Sequence, residues 1–180
     1  YDETEIDNFG SGGLANHVLT ILTGGTQESL VPFSYQLFRG QETGGGITDL
    51  WFSDNSFYTA KAGIVLNRTE SPVQLIVEGI SSTANVSSVK FMFEGGATAN
   101  GVNRQLALFN YTLNEWVVIS TGPATVADEV FEYTIPGSPA AYVNQSTRRL
   151  RARVSYHPTA SVPRSWAARV DRMAWSITRP

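Results

Sequence analysis

Arg149, Arg151 and Arg153 alternate with Leu150, Ala152, Val154 and Tyr156 along one eight-residue run. In an extended strand this period of two sends the guanidinium groups to one face and the apolar side chains to the other. Arginine outnumbers lysine eleven to two in the chain, and its planar fork suits bidentate pairing with carboxylate, sulfate or phosphate. The chemistry such a face offers is anion binding, to an acidic polysaccharide or to a partner subunit. The plainer alternative is an outer sheet face whose arginines pair across strands with acids such as Asp128, Glu129 and Glu132.

The charge of the whole chain is divided in the same sense. Residues 141–180 carry eight arginines and one aspartate, whereas the preceding 140 residues carry fifteen acids and five bases. At the far end from the arginines, Asp2, Glu3, Glu5 and Asp7 form an acidic, strand-compatible stretch tethered by Gly10-Ser11-Gly12-Gly13. Such an arm can pair with the basic region of its own molecule, or with that of a neighbouring copy by strand addition. A head-to-tail contact of the second kind builds rings or open filaments. This self-association through Asp2, Glu3, Glu5, Asp7, Arg149, Arg151 and Arg153 is the first functional expectation.

Other residue types add narrower options. Trp51 and Tyr58 flank the polar run Ser53-Asp54-Asn55-Ser56, and exposed aromatic rings there would stack on sugar rings. The bland reading places Trp51, Trp116, Trp166 and Trp175 in the core or in sheet packing. Asp49, Asp54 and Asn55 could join backbone carbonyls around calcium, although no EF-hand spacing is present. Without cysteines, and with only His17 and His157, disulfides, thiolate sites and a spaced histidine zinc site are not expected. Asn67, Asn85, Asn110 and Asn144 open Asn-X-Ser/Thr sequons, the acceptor sites for glycans. No cofactor motif occurs, and no catalytic residues are assigned. The strand glutamates Glu78, Glu94, Glu115 and Glu132 show no pattern that would bring two carboxyls together, and GxSxG is absent.

These groups need elements to hold them, and the sequence supplies strands. No window gives an amphipathic helix; short β-branched and aromatic runs alternate with Gly, Pro, Asn, Asp and Ser clusters. Strands are expected near 18–22, 33–38, 57–66, 73–79, 89–95, 105–109, 115–119, 130–135, 149–156 and 167–178, the last bent near Asp171. A turn through Asn110–Asn114 joins two of them as a hairpin. About ten strands in 180 residues predict an all-β, two-sheet antiparallel sandwich of jelly-roll type. A hydrophobic fraction of 42% is ample for its core. No apolar run approaches the roughly 18 residues of a membrane-spanning helix. A net charge of −3 and no recognised nucleic-acid motif argue against a nucleic-acid partner.

Three groups of motifs resemble a widespread secreted bacterial β-sandwich module found in large extracellular and cell-surface proteins. They are Phe38-Arg39-Gly40 with Gly44-Gly45-Gly46, Asp49-Leu50 and Ser53–Ser56; Leu108–Tyr111 with Glu115–Val118; and Tyr142-Val143 with Arg149–Val154 and Val170–Trp175. The resemblance covers roughly residues 31–178 and implies fold and an extracellular setting, without an active site. It divides the chain into an N-terminal extension or arm with a first strand, residues 1–30, and a sandwich, residues 31–180. A start at Tyr1 fits a mature product without its signal peptide, or a trimmed chain. The combined expectation is a non-enzymatic, secreted structural subunit that self-assembles, with a carbohydrate-binding module as the alternative.

Overall fold

The alternation of apolar and polar residues is realised as twelve strands in a computed structural model that describes residues 20–23, 27–67, 69–159, 162 and 165–180. In chain order they are β1 (Thr20–Thr23), β2 (Gln27–Leu30), β3 (Ser34–Arg39), β4 (Gln41–Gly44), β5 (Tyr58–Lys61) and β6 (Val73–Ile80), then β7 (Ser88–Ala97), β8 (Val102–Asn110), β9 (Glu115–Ala124), β10 (Glu129–Thr134), β11 (Arg149–Pro158) and β12 (Ala167–Thr178). Every pairing is antiparallel. The protein is an all-β sandwich of two antiparallel sheets.

The larger sheet has seven strands organised around β12. One edge of β12 pairs along its length with β7, which pairs in turn with β10. Its other edge is shared in succession: β5 takes residues 167–170 and β2 takes 175–178, with β4 and β1 outside them. The register slips between Val170 and Arg172, which is the bend anticipated near Asp171. The smaller sheet runs β3-β6-β11-β8-β9, so the arginine strand β11 lies at its centre.

The core between the sheets contains Phe91, Phe93, Trp175, Leu75, Leu106 and Tyr156, all at most 1% exposed. At Gly79 the sheets meet closely. A Cβ there would stand 2.9 Å from Cζ3 of Trp175, so glycine leaves the indole room to pack against β6.

Two strands had no counterpart in the pattern. β2, Gln-Glu-Ser-Leu, and β4, Gln-Glu-Thr-Gly, carry too few apolar residues to alternate, and they are strands because β12 and β5 present free edges to them. The strand expected over 57–66 ends at Lys61. Beyond it Gly63 donates to the Pro72 carbonyl at 2.8 Å, and Ile64 and Leu66 stand more than 90% exposed. Of the expected strand over 18–22, residues 20–22 lie in β1, and 18 and 19 fall outside the described residues. No helix among the described residues is long and apolar enough to cross a membrane.

Candidate functional site

The strand β11 is placed by a turn that fixes its first residue. The Asn144 side-chain Oδ1 accepts from the N–H groups of Ser146 and Thr147, at 3.0 and 2.8 Å. The backbones of Asn144, Arg148 and Arg149 then close on one another, with Arg148 in the left-handed region at φ 58°. From that anchor the alternation proceeds as the sequence requires. Leu150, Ala152, Val154 and Tyr156 are buried against the larger sheet, and Arg149, Arg151 and Arg153 lie on the outer face.

Strand register decides what surrounds them. Arg151 stands opposite Glu78 of β6, Glu78 opposite Ser34 of β3, and Phe109 of β8 opposite Trp116 of β9. Since Ala152 pairs with Leu108, Phe109 is the neighbour of Arg151 on β8. One row across the sheet therefore reads Ser34, Glu78, Arg151, Phe109, Trp116. The next row holds Gln36, Ile76, Arg153, Ala107 and Val118, and the one after it Gln74, Ser155, Gln105 and Thr121.

Within this face guanidinium groups and rings interleave. Arg153 lies 4.7 Å and Arg151 5.3 Å from the Trp116 ring centroid, and Arg151 is also 5.3 Å from Phe109. Phe109 meets Trp116 and Tyr111 edge to face at 5.3 and 5.0 Å. Arg149 covers Phe33 at 5.4 Å. Each such contact at a partly exposed site is worth about 0.5–1 kcal/mol. Their main effect is to hold long, flexible side chains in place. Glu78 receives Arg149 and Arg151, each at 3.2 Å, and a shallow depression opens between Ser34, Gln36, Ile76, Glu78 and Arg151. Burial is the main cause that pushes the Tyr111 phenol up to about 12, so it remains a hydroxyl at the rim of the face.

Trp116 owes its position to the β8–β9 hairpin. Asn110 Oδ1 accepts from Thr112 and Leu113 N–H, both at 3.0 Å, and Asn114 completes the turn at φ 55°. Neither Trp116 nor Glu78 was marked by sequence as belonging with the arginines. Their period-two placement was visible, but the register that brings them beside β11 was not.

The other candidate residues fall elsewhere. Asp128, Glu129 and Glu132 do not meet the β11 arginines: they pair with Arg169, Arg104 and Lys90 at 3.8, 3.4 and 2.9 Å. Tyr58 is 1% exposed, packed edge to face on Tyr35 in the core, so its ring offers no stacking surface. Trp51 is half-buried against Phe52 and donates its indole N–H to the Pro32 carbonyl at 2.9 Å. Asp49 accepts from Gly46 N–H at 2.6 Å and Asp54 from Ser56 N–H at 2.9 Å. Among the described residues no three acidic, histidine or cysteine side chains converge as a metal would need.

Asp171 occupies the bulge of β12, fully buried, and accepts from Asn55 N–H at 3.3 Å. Desolvation raises its pKa, with Glu94 and Asp54 adding like charge and backbone N–H groups opposing. Of the sequons, Asn85 and Asn67 are exposed and Asn144 is half-buried, whereas Asn110 is 7% exposed beneath the turn it caps. Glu78 and Glu94 face outward from opposite sheets. The acidic arm with Asp2, Glu3, Glu5 and Asp7 lies outside the described residues.

No family model matches the chain, and no curated protein does. Solved structures give a distant likeness. The xylan-binding module CBM15 aligns over 91% of this chain and 97% of its own, at 12% identity and a TM-score of 0.47. A xylanase of Cellvibrio japonicus in complex with xylopentaose aligns over 89% of this chain and 28% of its own, at 11% identity and a TM-score of 0.46. A family 29 carbohydrate-binding module aligns over 79% and 91%, at 8% identity and a TM-score of 0.39. At this distance the likeness carries no argument about ligand or activity, and the fold stands on the strand pairing itself.

Proposed function

We propose that this chain is a non-catalytic polysaccharide-binding module of an exported protein, working through the outer face of the five-stranded sheet. The observation that carries the reading is the row Glu78–Arg151–Phe109–Trp116 on a sheet face that no other element among the described residues pairs over. Indole and phenyl rings offer apolar surface to sugar C–H groups. The guanidinium groups, Gln36, Gln74 and Gln105 offer hydrogen bonds to hydroxyls along the same strip. A sheet face with long, pre-ordered side chains suits an extended chain of sugars better than a small molecule, which needs an enclosing cavity. The single carboxylate on the row, Glu78, is engaged by two arginines, and a binding role accounts for that better than acid–base work. Export is supported by the motif resemblance to extracellular modules.

The test is affinity electrophoresis of the intact chain against a broad panel of polysaccharides. Retention by at least one, lost in Trp116→Ala while circular dichroism shows the variant folded, is the expected result. Mobility unaltered by every polysaccharide would overturn the reading.

Self-association through Asp2, Glu3, Glu5 and Asp7 onto the same arginines rests on the charge split. It predicts oligomers that shrink in high salt and on deletion of residues 1–12. A monomer by light scattering at low salt, with or without those residues, removes it.

A further inference from the structure

The charges on the sheet face do not balance. Arg149 and Arg151 share one carboxylate, Glu78. Arg153 has no carboxylate within ion-pair distance among the described residues. Its neighbours across the sheet are Ile76 and Ala107, with Gln36 and Val118 beyond them. Arg39, at the end of β3, is matched by Glu70 at 3.0 Å, and the nearby acid of β9, Glu115, sits at the hairpin end. The middle of the face therefore carries more guanidinium than carboxylate. With about 3.3 Å per residue along a strand, the three arginines span roughly 13 Å.

We infer that the polysaccharide bound on this face bears carboxylate or sulfate groups, with Arg153 as the principal anion contact and Trp116 as the adjoining ring. The inference rests on the glycan-binding reading above and adds the ligand's charge to it. Neutral sugars would be served by amide and hydroxyl groups, which pair equally well as donors and acceptors. A guanidinium has five donors and no acceptor, so an unpaired one on a binding face selects for an acceptor-rich, negatively charged group. Arg153 is held in place by the Trp116 ring, so little of its rotamer freedom remains to be lost on binding. Burial also lowers its pKa, the mark of a cation partly stripped of water. Such a cation gains more from an incoming anion than a freely solvated one does.

The test uses the intact chain in native gels containing a polyuronate, a sulfated glycan, a neutral xylan, a neutral glucan or single-stranded DNA. A polyuronate or the sulfated glycan should retard the protein, less so at high salt. Arg153→Gln should weaken that binding by about tenfold. Arg172→Gln, on the outer face of the other sheet, should leave it unchanged. Circular dichroism and melting temperature confirm that each variant is folded. Retention by neutral glycans alone, sensitive to Trp116→Ala but not to Arg153→Gln, would overturn the acidic ligand and leave the glycan reading standing. Retention by none of the glycans would remove both. DNA bound as tightly as the best glycan would also overturn the inference, because the face would then be a general polyanion surface.

Discussion

Arg104 and Arg153 both lie over aromatic rings, yet the two sites serve different ends. Arg104 of β8 points inward and is 2% exposed, 5.1 Å from Phe93 and 5.5 Å from Phe131. Both rings belong to the opposite sheet, and Glu129 of β10 closes the site at 3.4 Å. Arg153 of β11 points outward, and its ring, Trp116, stands on the same sheet and the same face. One guanidinium ties two layers together; the other stands beside its ring on the outer face of a single sheet. The chemistry of the pair is the same, and what differs is whether the rings face the cation across the core or stand beside it on an open sheet. An arginine–aromatic contact is therefore structural or available for binding according to the layer its ring comes from.

The comparison can be broken first at Arg104. Arg104→Ala should cost about 2–4 kcal/mol, read as a lower urea midpoint, because it vacates the space between Phe93 and Phe131. Arg104→Met, which refills that space, should recover most of the loss. Glycan retention by the folded fraction should be unaffected in both. Trp116→Ala should do the reverse, weakening retention tenfold or more while lowering the unfolding free energy by about 1–2 kcal/mol, less than Arg104→Ala does. If both variants lost stability and binding together, the division between the two sites would fail.

Asp171 sharpens the same contrast for an acid. Its folded pKa is raised, chiefly by desolvation, so its own contribution to stability is most favourable below the unfolded value of about 3.9 and is lost as pH rises through the folded value. Asp171→Asn keeps an oxygen for the Asn55 N–H. It should raise the melting temperature at pH 7 by about a few degrees, the gain fading toward pH 3. A gain independent of pH would rule out the carboxylate's charge as its cause. The smallest effect belongs to Tyr58, whose hydroxyl is buried without a hydrogen-bond partner among the described residues. Tyr58→Phe should leave glycan retention unchanged and stability equal or slightly higher, as thermal unfolding would show.

Much of the fold was legible because burial and period agree. Strands β6, β7, β8 and β11 bury alternate residues over much of their length, and their positions follow from the pattern within a few residues. β2 and β4 were hidden because their stability comes from a neighbour's free edge. Glu28 of β2 shows how far context overrides composition. It is wholly buried, accepting from Ser82 N–H at 3.1 Å and Ser82 Oγ–H at 2.6 Å, with Arg179 at 3.6 Å. Those partners lie 54 and 151 residues away. The site was half legible: alternation displayed Arg149, Arg151 and Arg153, but their expected acids went to Arg169, Arg104 and Lys90, and Tyr58 went to the core.

By itself the sequence determined an all-β sandwich and a strand with arginines on one side and core residues on the other. Both follow from the alternation of side chains along an extended backbone, which is a local property. Only the tertiary structure decided that Glu78, Phe109 and Trp116 stand beside those arginines, and that Arg104 lies between rings of the opposite sheet. Register and layer order are set by how two whole sheets fill the space between them, and a one-residue slip would send every side chain of a strand to the other face.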